Sequence, residues 1–432
     1  MKPLSVIRYN SEEGQARMAQ ILSRAQFEIA GVQETVDDIL RRIRTEKDAA
    51  LFELTEKFDK VKLTSKTVRI SQEEIDQAYA EMDEKLLEVI RKAAARIRAF
   101  HMKQKQNSWM EPSENGEVLG QLIRPLETAG VYVPGGKAAY PSSVLMNVIP
   151  AQVAGVKRIV MVSPCLNGKV VPSTIVAAVE AGVTEMYKVG GAQAVAALAF
   201  GTESIPRVDK IVGPGNIYVA MAKRSVFGHV NIDSVAGPSE ILIIADETAN
   251  PRFVAADLLS QAEHDELASA ILLTTSKALA EAVSEELVKQ TAELPRKEIV
   301  GKSLQAYGAI LLVDDIEQAV EACNAMAAEH LELCVADAFA LLPTLRNAGA
   351  IFMGHYTPEP LGDYMAGPNH VLPTGGTARF FSPLSVDDFV KKSSILSFSK
   401  SAFGALAQDV ITFAEAEGLT AHANSMRVRI DE

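Results

Sequence analysis

From Val131 onward the chain alternates short β-branched runs with alanine-rich stretches, and this constrains the fold more than any other feature. Val131–Val133 runs into Pro134-Gly135-Gly136, and Ile159–Val162 follows a helix end at Ala151–Gly155. Tyr187–Val189 leads into Gly190-Gly191-Ala192-Gln193 and an apolar helix. Ile211-Val212 leads into Gly213-Pro214-Gly215-Asn216 and another. Strands this apolar must be covered on both faces, so the pattern predicts α/β architecture: β-α-β units forming parallel sheet between helices. The theme resumes with buried strands at Ile241–Ala245, Ile271–Thr274, Ile310–Val313 and Ile351–Met353. Helices at Pro251–His264 and Asp315–Ala328 lie between them, the first with Asn250 as N-cap and Pro251 in its first turn.

The residues before Val131 read differently. An acidic, helix-like stretch falls within the first 25 or so. Within Val36–Phe58 the spacing is helical at Val36, Leu40 and Ile43 and resumes at Ala50 and Leu54. A strand-like Thr67–Ile70 precedes a long amphipathic helix capped by Ser71. Its apolar face is Ile75, Ala78, Met82, Leu86, Val89, Ala93 and Ile97. Trp109, in the polar exit of that helix, reads as a packing residue. After Met365 the chain turns loop-rich, and a last helix spans about Ala402 to Leu419.

Composition excludes several classes of function. A net charge of −12 with no dense Lys/Arg stripe argues against a nucleic-acid surface. No apolar run has the length of a membrane span, and MKPLSVIRYNSEEGQARM lacks the apolar core of a signal peptide. Cys165, Cys323 and Cys334 form no C-x-x-C pair and no even-numbered framework, which fits a reducing, cytoplasmic compartment.

Metal-grade ligands gather late in the chain. They are Gln261-Ala262-Glu263-His264, Glu329-His330, Gly362-Asp363-Tyr364 with Asn369-His370, and Thr420-Ala421-His422, and they hold four of the seven histidines. Gln261 and His264, three apart at a helix end, share one face. With Asp363 and His422 they make an N/O set suited to Zn²⁺, without the thiolates of a structural zinc site. A hydrogen-bonded histidine at a helix end is an equally good reading of His264 taken alone. Glu329-His330 has the chemistry of a general base beside a carboxylate, although an isolated pair of this kind is more often a surface Glu and a satisfied His. The three glycine turns each follow a strand, where backbone N–H groups approach a phosphate, but none is G-x-G-x-x-G. Ser239 in Ala236–Glu240 reads as a turn serine on its own. His101 and His229 read as exposed, and His355 is open.

Taken together, GVYVPGG, GGAQAVAALAFGT, KIVGPGN, AGPSEILIIAD, LLSQAEH, AAEHLEL, GDYMAGPNHVLPT and GLTAHANSMRVR closely resemble, in this order, the histidinol dehydrogenase family. The likeness runs from about Val36 to His422. It implies a zinc-containing, NAD-linked enzyme, with one Zn²⁺ per subunit, that oxidises L-histidinol through L-histidinaldehyde to L-histidine. Carried over by position, Gln261, His264, Asp363 and His422 bind zinc, and Glu329 and His330 are the acid–base pair. Ser239, His370 and Glu417 contact substrate together with His330 and the zinc ligands. Tyr132, Gln193 and Asn216 line the NAD site. The resemblance also implies a homodimer with shared active sites, Glu417 and His422 reaching the partner's site. The fold it implies is two incomplete Rossmann-like parallel-sheet domains, one inserted in the other, with helical N- and C-terminal extensions. The extension is residues 1–26, the larger domain 27–130 and 240–379, the inserted NAD-binding domain 131–239, and the tail 380–432. A paralogue acting on another amino alcohol or on a sulfonate-bearing alcohol would keep the zinc set and change the substrate contacts. A non-enzymatic zinc or nucleotide module would leave the base and carboxylate unexplained.

Overall fold

The structure is a computed structural model that describes residues 3–24, 30–135 and 140–430. Gly136 of the first glycine turn and the expected boundary at residue 26 lie outside the described residues. The chain forms two compact units, residues 1–104 with 127–389, and residues 105–126 with 390–432.

The first unit is built on two all-parallel sheets. The larger has six strands in the order Val6–Arg8, Gly308–Leu312, Ser269–Thr274, Glu240–Ala245, His330–Cys334 and Ala350–Met353. The smaller has five, ordered Glu185–Tyr187, Arg158–Val162, Thr128–Tyr132, Lys210–Val212 and Asn231–Ile232. In each sheet three successive strands add outward on one side, and the chain then crosses back to add two on the other; in the larger sheet the N-terminal strand Val6–Arg8 lies beyond the outermost of the three. The crossing back puts a topological switch point beside Thr128–Tyr132 in the smaller sheet and beside Glu240–Ala245 in the larger.

Side-chain alternation explains why helices cover both faces. Leu242, Ile244, Ile271, Leu273, Leu331 and Leu333 enter one core. Ile241, Ile243, Ala270, Leu272 and Cys334 enter the other, packed under the helix Pro251–Ala262. That helix starts as expected, Asn250 accepting a 2.9 Å bond from the Arg252 N–H.

The structure divides or corrects several of the expected elements. The run Val36–Phe58 is two helices, ending at Glu46 and restarting at Asp48, because Lys47 adopts φ +54°. The long helix after Ser71 is also two, Gln72–Glu81 and Glu84–Met102. Ser71 and Glu74 form a capping box on the first, and Asp83 caps the second by accepting from the Leu86 N–H at 2.8 Å. Thr67–Ile70 forms a single bridge, Arg69 to Tyr187, rather than a strand. His330–Cys334 is a central strand, where the sequence showed only the end of a helix.

The second unit is a three-stranded antiparallel sheet, Val390–Phe398, Glu117–Pro125 and Trp109–Pro112, followed by a helical hairpin. Trp109, expected in the polar exit of a helix, is a strand residue and 48% exposed. The tail is two helices, Lys400–Ala416 and Thr420–Ile430, closed around Ile411, Ala414 and Ala423. Gly418, at φ +74°, makes the left-handed turn between them.

Candidate active site

The site grows from the larger sheet's N-terminal edge. Register pairs His330 with Ile241, which sets Glu329 beside Glu240. The two glutamates clasp each other's backbone. The Glu240 N–H donates to Glu329 Oε2 at 3.0 Å, and the Glu329 N–H donates to Glu240 Oε2 at 3.3 Å. His330 Nδ1 lies 3.0 Å from the Glu240 carbonyl. A carbonyl only accepts, so Nδ1 carries the proton and Nε2 presents its lone pair. Nε2 is buried and has no hydrogen-bond partner among the described residues. It lies 3.9 Å from Asp363 Oδ1, while Nδ1 lies 3.7 Å from Glu329 Oε2.

Burial sets the electrostatics. It pushes His330 down to about 3, with the nearby His264 and His370 adding to the effect, so the imidazole is neutral. It pushes the Glu329 carboxyl well above its ordinary range, reinforced by Glu240, Asp363 and Glu359. A carboxyl raised in this way is a stronger base once ionised.

Crossover geometry brings Gln261 and His264 to the same edge. A helix that follows one parallel strand and precedes the next must return to the sheet's N-terminal side, so Pro251–Ala262 ends where Glu240 and Glu329 begin. Its C-terminal end carries partial negative charge and favours a cation. Gln261 is buried, its Oε1 without a partner among the described residues, and His264 is exposed at the cavity wall. Asp363 and His370 come from the chain after the last strand. His370 Nδ1 donates to the Asp363 carbonyl at 3.1 Å. Burial holds Asp363 up at about 6 and His370 down at about 4.

Ser239, Gln261, His264, Glu329, His330, Asp363 and His370 thus line one cavity of about 320 Å³. Tyr132, Gln193 and Asn216 line a second, of about 620 Å³, at the C-terminal edge of the smaller sheet. Pro134, Gly215 and Asn216 belong to both walls. The turn at the smaller sheet's switch point is held at both ends. The Gly213 N–H donates to Asp233 at 2.8 Å, and its carbonyl accepts from Lys223 at 2.9 Å. Gly213 has φ +110°, and a Cβ there would meet the Tyr132 carbonyl oxygen at 2.1 Å. Asn216 caps the next helix, and the Gly191 N–H, at another helix start, donates to the Tyr132 hydroxyl at 3.1 Å.

Glu417 and His422 belong to the second unit. Glu417 ends the helix Lys400–Ala416, His422 lies in the first turn of Thr420–Ile430, and both are exposed.

Several buried groups escaped the sequence reading. Glu359 lines the first cavity, accepts from Ser260 Oγ at 3.0 Å, and is held up at about 8 by burial and then by Asp363. Its N–H donates to Glu332 Oε1 at 2.7 Å. Glu240 is paired with Arg24 at 2.7 Å, both side chains almost fully buried. The available signal was a carboxylate inside an apolar strand, as in Glu240-Ile241-Leu242-Ile243 and His330-Leu331-Glu332-Leu333. His101, expected at the surface, is wholly buried: its Nε2 lies 3.1 Å from Asn369 Nδ2, and burial lowers it to about 4. His229 is exposed, and His355 is half-buried beside Thr248.

Comparison with known proteins places this geometry. The sequence profile of the family described as Histidinol dehydrogenase matches residues 22–430. Histidinol dehydrogenase of Caldanaerobacter subterraneus subsp. tengcongensis is 58% identical over 410 residues, 95% of each chain. That of Syntrophotalea carbinolica is 53% identical over 429 residues, covering 99% of this chain and all of the relative. The crystal structure of histidinol dehydrogenase from Elizabethkingia anophelis superposes with a TM-score of 0.89 at 40% identity, covering 93% of this chain and 92% of that one.

Proposed function

The chain belongs to the histidinol dehydrogenase family, and we propose that it oxidises L-histidinol to L-histidinaldehyde and then to L-histidine, the end of histidine biosynthesis. One observation carries the reading. A neutral histidine, its lone pair free, lines a cavity that shares a wall with a glycine-turn cavity at a parallel-sheet switch point. A base beside a dinucleotide slot is what alcohol dehydrogenation requires.

The donor set fits a divalent cation. Gln261 Oε1 is a buried acceptor without a partner among the described residues, and burial holds Asp363 and Glu359 above their ordinary range, with Asp363 adding to the rise of Glu359. Carboxylate and ring atoms of His330, Glu359 and Asp363 lie within 4.8 Å of one another. We assign zinc to Gln261, His264 and Asp363, with His422 from a second copy, and NAD to Tyr132, Gln193 and Asn216 within residues 131–239. When bound, zinc supplies a positively charged template for the substrate's amine and imidazole, and the nicotinamide supplies a hydride acceptor.

The protein's own groups handle the protons. His330 Nε2 takes the alcohol proton as the carbinol hydride departs. Glu329 takes the proton of the water that adds to the aldehyde while His330 returns its proton to the aldehyde oxygen, and His330 then receives the hydrate's proton during the second hydride transfer. Ser239 and His370 hold the substrate in the cavity, which keeps the aldehyde from solvent between the two steps.

The shared-site homodimer is the finer part of the proposal. Leu396, Phe398, Leu406, Val410, Phe413 and Leu419 of the second unit are exposed, Phe413 at 73%. That much apolar surface on one small unit supports a second copy as its cover. Three free, buried cysteines support a cytoplasmic setting, and among the described residues no helix is long and apolar enough to cross a membrane. The test is NADH formation with histidinol and NAD⁺, with histidine quantified in the same samples. Two NADH per histidine is expected, and no NADH with active-site zinc present would sink the proposal.

A further inference from the structure

Glu240 hydrogen-bonds both members of the acid–base pair. Its carbonyl holds the His330 ring, its N–H holds the Glu329 carboxylate, and its own carboxylate holds the Glu329 backbone. The carboxylate is fixed in turn. Oε1 accepts from Arg24 at 2.7 Å and from the Gly375 N–H at 3.2 Å. Arg24 is pinned at the end of the helix Glu12–Ser23. Nη1 donates to the Ile21 carbonyl at 2.6 Å, and Nε donates to the Leu267 carbonyl at 3.2 Å. The side chains of Arg24 and Glu240 are 1% and 3% exposed. A buried ion pair contributes little net stability against an apolar pair of the same volume, so its presence here calls for another role.

We propose that Arg24 and Glu240 are positioning residues that fix Glu329 and so govern the second oxidation more than the first. The inference rests on the assignment of Glu329 as the group that activates water. Glu240 divides the labour by atom. Its backbone carbonyl orients His330, which serves both oxidations, and no side-chain substitution removes that carbonyl. Its carboxylate, anchored by Arg24, holds the Glu329 N–H at the strand start and the Gly375 N–H, and makes no hydrogen bond to His330. Loss of the side-chain pair therefore leaves alcohol oxidation in place and weakens water addition to the aldehyde.

The test uses the full-length enzyme with zinc, histidinol and NAD⁺, and semicarbazide to trap free aldehyde. Wild type should give two NADH per histidine and little trapped aldehyde. The apolar pair R24M/E240L should slow aldehyde oxidation by about 10- to 100-fold, the scale of lost outer-shell contacts. The first oxidation should change far less, so trapped aldehyde rises and the NADH yield tends toward one per substrate. R24K, which retains the charge facing Glu240, should restore most of the second step. If R24M/E240L does not fold, E240Q carries the same test, since it keeps the shape and removes the charge that anchors Arg24. Unchanged aldehyde release in the folded variant overturns the inference, as does an equal loss of both oxidations that R24K leaves unrepaired. E329Q separates the underlying assignment from the inference: if E329Q releases no aldehyde while wild type turns over, Glu329 does not activate the water and the inference falls with it.

Discussion

The two parallel sheets of the first unit share a five-strand order, to which the larger adds Val6–Arg8 at one edge, yet they present opposite edges to the adjoining cavities. The smaller sheet presents the C-terminal ends of its strands, where the helices Gly191–Phe200 and Ile217–Val226 begin. The larger presents its N-terminal ends, where Pro251–Ala262 finishes. Helix N-termini favour anions and C-termini favour cations. One fold plan used in two directions thus offers a phosphate edge on one side and a cation edge on the other. The larger sheet's own switch point is closed from within. Asp246 accepts from the Ala336 N–H at 2.8 Å and the Thr248 N–H at 2.9 Å, the amides a phosphate would otherwise use. Burial works against the Asp246 charge, but the Thr248 hydroxyl and these amides outweigh it and hold the carboxyl low.

The sharpest way to break this comparison lies at the cation edge. H330N should lower turnover by about 10²- to 10⁴-fold, the usual weight of a general base, while metal analysis and NADH binding stay near wild type. Wild-type turnover would remove the base from His330. H264N should bring zinc well below one per chain by metal analysis of the purified protein. Full occupancy would exclude His264 as a ligand. At the phosphate edge, G213A should introduce about 1–3 kcal/mol of strain, read as a lower melting temperature and weaker NADH binding in a fluorescence titration. Unchanged NADH affinity would detach that turn from the nucleotide. The smallest effect belongs to the closed edge. D246N should cost about 1–3 kcal/mol of stability in urea titration, because an amide donor then faces the Ala336 N–H, and should leave turnover intact. A turnover loss in the folded D246N variant would show that both edges of the larger sheet serve the reaction.

Strands with unbroken apolar runs, such as Ile241–Ala245 and Ile271–Thr274, were legible because parallel sheets bury both faces. His330–Cys334 was not, since His330 and Glu332 interrupt its pattern with groups whose burial depends on distant partners. The helices divided at Lys47 and Asp83 kept their apolar spacing across the break, so periodicity alone did not register it. His101 follows the same logic. It ends an amphipathic helix before the polar Lys103-Gln104-Lys105, and its partner Asn369 lies far along the chain.

The sequence by itself determined the α/β class, the glycine turns and the ligand-grade residue types, because local spacing and strand apolarity express them directly. Its ordered motifs also carried the family resemblance. Tertiary structure alone decided which edge of each sheet faces a cavity, that Glu240 clasps Glu329 and orients His330, and that Arg24 and Glu359 are buried beside them. These depend on strand register, on the return path of crossover helices and on contacts such as Arg24 to Glu240, 216 positions apart, and no local pattern encodes them.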